Sequence, residues 1–134
     1  MGNRAVICFG KYEENAIGVY LHWNGGRDSI EGFLNATKQV MGGRVGDKTY
    51  SQARLIQVIG NFFGGNSSLG MGFCRELDCD NYDNGVYEVD IKTLTITGRK
   101  FFEGEEQQEY ELEEMTKEIL KRQPKDDLAV PAVV

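Results

Sequence analysis

The sequence predicts an α+β fold: an antiparallel sheet, made of an N-terminal hairpin plus a C-terminal meander, packed with about three helices. Three observations carry this expectation. Residues 4–9 and 16–23 are short runs rich in β-favouring side chains. Residues 28–65 hold two helical periodicities bounded by cap signals, and residues 71–99 return to strand patterning.

The first two strands are joined by Gly10-Lys11-Tyr12-Glu13-Glu14-Asn15, a glycine-bearing charged stretch suited to a hairpin connection. Asn24-Gly25-Gly26-Arg27 then breaks the second strand. Asp28, with Glu31 three residues on, is the expected N-cap of a helix whose apolar face carries Ile30, Phe33, Leu34 and Val40. Gly42-Gly43-Arg44-Val45-Gly46 ends it. Thr49-Tyr50-Ser51-Gln52 is the next capping box, and Leu55, Ile56, Ile59, Phe62 and Phe63 recur at helical intervals up to the stop at Gly64-Gly65.

Asp83-Asn84-Gly85 reads as a hairpin turn within residues 71–99 and Lys92-Thr93 as a second, so three antiparallel strands in sequence are expected there. Residues 105–122 read as a third helix, glutamate-rich at its start and basic at its end, in keeping with the helix dipole. A single ligand-binding domain over residues 1–122 is expected, with residues 123–134 a flexible C-terminal tail that lacks periodicity.

Composition narrows the function. The chain has 134 residues, 40% hydrophobic and 27% charged, enough for one real core. Its formal charge of −6 disfavours duplex nucleic acid, which demands a broad cationic surface. The N-terminal apolar run is too short for a signal peptide and no segment suits a membrane span. Cys8, Cys74 and Cys79 make neither an even disulfide set nor a CxxC pair, and His22 is the sole histidine. Asp78, Asp80 and Asp83 lack the glycine and distal glutamate of a calcium loop. No metal or cofactor is expected.

The segment His22-Trp23-Asn24-Gly25-Gly26-Arg27-Asp28 holds the most chemistry. It joins strand to helix through glycines that let backbone N–H groups approach an anion. Trp23 can stack on a base, Asn24 can read its edge, and Arg27 can pair with a phosphate. The plainer alternative is a turn whose tryptophan is core and whose arginine is solvated. Arg44, Arg54, Arg75 and Arg99 are further anion contacts; Phe73, Tyr82 and Asn84 offer a second aromatic face and an amide, although Asn84 before Gly85 also suits a turn. For nucleophilic catalysis, Cys8 or Ser29 with His22 is the sole conceivable pairing, and His22 has no evident orienting carboxylate.

With the helix that follows it, the run Ala16-Ile17-Gly18-Val19-Tyr20-Leu21-His22-Trp23-Asn24-Gly25-Gly26-Arg27-Asp28-Ser29 resembles phage anti-Thoeris proteins of the first described type. The likeness covers most of residues 4–102. It implies a non-enzymatic sponge, acting in the cytoplasm of the infected bacterial host, that sequesters cyclic ADP-ribose isomers such as glycocyclic ADP-ribose. It also implies capture of cyclic di- or trinucleotides, and a homo-oligomer, dimer or hexamer, with pockets at subunit junctions. The family's pocket uses a tryptophan, a second aromatic ring, an asparagine and several arginines. Trp23 and Arg27 match it most directly, and Arg54, Phe73, Asn84 and Arg99 complete the pattern. Two other functions stay open: a phage enzyme that degrades a nucleotide, and an inhibitor that binds a host defence protein through the acidic third helix.

Overall fold

The computed structural model describes residues 3–65, 67–106 and 110–124. Strands β1 (Ala5–Phe9) and β2 (Ile17–Leu21) lead into helices α1 (Arg27–Met41) and α2 (Lys48–Phe62). Strands β3 (Leu69–Phe73), β4 (Val86–Asp90) and β5 (Thr95–Lys100) follow, and α3 (Leu112–Lys121) comes last. The α+β class is as the sequence predicts.

The sheet is mixed rather than antiparallel. Its order is β3-β2-β1-β4-β5, with β1 and β4 parallel and Val6 aligned with Val86. The expected C-terminal meander is therefore split: β3 pairs antiparallel with β2, and of the three strands only β4 and β5 form a hairpin. The reason lies at residues 83–85. The Asp83 carboxylate accepts from the Arg4 backbone N–H at 3.0 Å and from Arg4 Nε at 2.8 Å. Asn84 N–H donates to Arg4 O, and Val6 N–H donates to Gly85 O. The left-handed Gly85 (φ 63°) thus serves to lay β4 alongside β1, not to reverse the chain.

Ala5, Val6, Ile7 and Cys8 are all fully buried, because β1 is covered on both faces, as a parallel neighbour requires. The helices cover the face that carries Ile7, Val19 and Tyr87, with Phe33, Ile59 and Ile119 in the main core. Residues 74–79 help cover the other face, where Val6, Cys8 and Val86 pack with Cys74 and Cys79.

Helix boundaries differ locally from the expected ones. Gly26, not Asp28, is the N-cap of α1; Asp28 is buried in the first turn, accepting from Ser29 N–H at 2.7 Å and Tyr110 N–H at 2.8 Å. Asp47 caps α2 in place of Thr49, accepting from the N–H groups of Thr49 and Tyr50. Helix α3 starts at Leu112, not residue 105, and Glu106 is engaged in ion pairs instead. Gln123 is buried, donating to Val58 O and Ile119 O and accepting from Asn61 Nδ2, so the fold continues past residue 122. Residues 125–134 of the expected tail lie outside the described residues. Among the described residues no helix is long and apolar enough to cross a membrane.

Candidate functional site

One end of the sheet gathers the start of β1, the exit of β2 and the entry to β4. Asn3 N–H donates to His22 O, and Gly25 N–H donates to Asn3 O at 2.8 Å. Tyr87 Oη donates to Gly25 O at 2.7 Å. A Cβ on Gly25 would lie 2.5 Å from Asn3 O, so only glycine permits this approach. Asn24, one of the few residue types that tolerates the left-handed region, adopts φ 58° there. The pinned turn holds Trp23 outward.

Trp23 is 44% exposed, which removes the core-tryptophan alternative. Its ring meets the His22 ring edge-on, centroids 4.7 Å apart, and His22 Nδ1 is bonded to Tyr20 Oη at 2.9 Å. Trp23 and Asn24 flank a cleft of about 550 Å³ that Phe62, Phe63 and Arg122 also line, within the range of roughly 300–1,000 Å³ usual for small-molecule sites. A smaller cavity of about 200 Å³ adjoins it, lined by Trp23, Asn24, Asn3, Ser29 and Tyr110. The cation in the larger cleft is Arg122, whose Nη1 donates to Phe62 O at 2.9 Å while the guanidinium lies 4.4 Å from the Phe62 ring centroid. Sequence pattern alone does not single out Arg122, because at the end of a charged helix it resembles a dipole partner.

Arg27 and Arg99 are both brought to this end of the sheet, and both hold Glu106. Arg27 donates through Nη1 to Glu106 at 2.8 Å and through Nε to Glu31 at 2.8 Å, and Arg99 Nη1 donates to the other Glu106 oxygen. Arg99 also lies between the rings of Tyr87 and Phe102, 3.8 Å from each centroid, and donates through Nη2 to Asn84 O. Burial pushes the Glu106 carboxyl up, but the hydrogen bonds and charges of Arg99 and Arg27 outweigh this and hold it below the ordinary glutamate range. The hydrogen bond to Glu106 likewise raises the Arg27 guanidinium. No protein-family model, curated protein or solved structure matches this chain.

The remaining sequence-predicted residues are spread out. Asn84 belongs to this end but is buried, its amide donating to Asn3 Oδ1 and Arg4 O. Tyr82 is 89% exposed in the loop before β4, with a left-handed φ of 62° that is strained for an aromatic residue. Phe73 pairs with Ile17, at the opposite end of β2 from Trp23, and stacks under Arg75. Arg54 sits mid-way along α2, with a buried Nε that has no hydrogen-bond partner among the described residues, and Arg44 covers the Tyr50 ring. Neither Ser29 nor Cys8 hydrogen-bonds the His22 ring, whose Nδ1 is bonded to Tyr20: Ser29 Oγ accepts from Asn24 Nδ2, and Cys8 is buried among thiols.

Proposed function

We propose that the chain captures a nucleotide-type ligand of the cyclic ADP-ribose class without cleaving it, as an anti-defence sponge, with Trp23 as the base-stacking surface. The observation that carries this is the half-exposed indole on a pinned turn, facing a cleft that also holds a guanidinium. An open aromatic face takes a purine through stacking, and a guanidinium takes a phosphate through paired N–H donors. The resemblance at residues 16–29 supports the same ligand class, and with it cyclic di- or trinucleotides as further ligands and a homo-oligomer as the working unit.

Within this proposal Trp23, Asn24 and Arg122 meet the ligand directly. Arg27 and Arg99 form a neighbouring cationic pair held by Glu106. Phe73 and Arg54 of the same chain lie outside the cleft; a second copy is the means by which they join a pocket. Calorimetry with glycocyclic ADP-ribose is the decisive experiment. Trp23→Ala should weaken binding by roughly 5- to 150-fold, the equivalent of stacking worth about 1–3 kcal/mol. The ligand should be recovered intact. Cleaved product, or binding unchanged in Trp23→Ala, would overturn the proposal.

A further inference from the structure

The opposite end of the sheet carries a further cavity, of about 310 Å³, formed where β1 and β4 end, beside the start of α2. Lys11, Lys48 and Lys92 all line it, and Asp90 is the one carboxylate among its lining residues. Asp90 is already used locally: its Oδ1 accepts from Lys92 N–H at 2.8 Å and from Thr93 N–H at 3.3 Å, closing the turn into β5. None of the three ammonium groups lies within ion-pair distance of a carboxylate of a described residue. Three separate segments thus bring three cations, none paired with a carboxylate of a described residue, to one concavity beside the single Asp90 carboxylate, in a chain whose formal charge is −6. Like charges held together repel, and a concave, partly apolar wall focuses their field. The wall here includes Phe9 and Ile91, and Thr97 adds a hydroxyl that donates to Glu88 O.

We infer that this cavity binds a small soluble phosphate compound, the lysines holding the phosphate and Phe9 and Ile91 facing the rest of the ligand. Lysine suits such a ligand, since a point charge on a flexible stem accommodates phosphates of differing geometry without the fixed fork of arginine. This site does not depend on the Trp23 cleft, which lies at the other end of the sheet.

The test is an NMR titration of the full chain with inorganic pyrophosphate and, separately, with adenosine monophosphate. Amide shifts should centre on residues 9–11 and 90–92. Lys11→Ala, Lys48→Ala and Lys92→Ala should each raise the apparent Kd at least about threefold, with the melting temperature unchanged because all three side chains are exposed. Trp23→Ala should leave pyrophosphate binding as it is. The inference is overturned by the absence of shifts at millimolar ligand or by shifts confined to the Trp23 cleft. It is equally overturned by affinities indifferent to the lysines, or by binding to phosphatidic acid vesicles but not to the soluble phosphates.

Discussion

The carboxylate of Glu106 is bonded to Arg27 at 2.8 Å, and its second oxygen accepts from Arg99, so one side chain occupies the anion-binding capacity of two arginines. Partly exposed ion pairs of this kind are worth about 0.2–1 kcal/mol each. Glu106→Gln removes the competing charge while keeping the shape. It should tighten capture of glycocyclic ADP-ribose roughly two- to tenfold and steepen its salt dependence. Calorimetry at two ionic strengths reads this directly. An unchanged Kd would assign Arg27 and Arg99 to structure alone.

Asp83 and Arg4 fasten the start of β1 to the entry of β4. Burial pushes the Asp83 carboxyl up, but the Arg4 side-chain and backbone hydrogen bonds and the guanidinium charge more than offset it, leaving Asp83 below the ordinary aspartate value. A carboxyl lowered in the folded state contributes stability above its unfolded value and loses that contribution as pH falls through the folded one. Thermal melts should therefore show wild type losing stability below the usual aspartate range. Asp83→Asn should be less stable at neutral pH and should show less of this acid loss. Parallel pH curves for the two proteins would sink the assignment.

The thiols of Cys8, Cys74 and Cys79 should be inert in the folded protein. Burial, with neighbouring thiols adding to it, pushes Cys8 up to about 12 and Cys79 up to about 11, and burial raises Cys74 as well. Since the thiolate is the reactive form, iodoacetamide at pH 8 should label none of them quickly. Mass spectrometry after denaturation should find all three labelled. Rapid modification of native protein would show that the covering segment opens.

The elements were largely legible in the sequence, and their assembly was not. Periodicity located α1 and α2, and β-rich runs located β1, β2 and β4, because those patterns are local. The parallel pairing of β1 with β4 depends on contacts between Arg4 and residues 83–84, far apart along the chain, and the same Asp-Asn-Gly run that signals a hairpin is chemically suited to that fastening. Trp23 and Asn24 stood out because glycines follow them. Glu106 and Arg122 did not, since a glutamate in an acidic stretch and an arginine at a helix end resemble ordinary solvated charges. Lys11, Lys48 and Lys92 were invisible as a group because three unrelated segments supply them.

The side-by-side alignment of Val6 with Val86 also constrains how the molecule matures. During synthesis, the innermost strand must wait with one flank bare until residues 86–89 have left the ribosome. Closure of so distant a pair is intrinsically slow. If the Arg4–Asp83 contact forms on the way over the folding barrier, substitutions at either residue should retard refolding, which stopped-flow fluorescence of Trp23 would read.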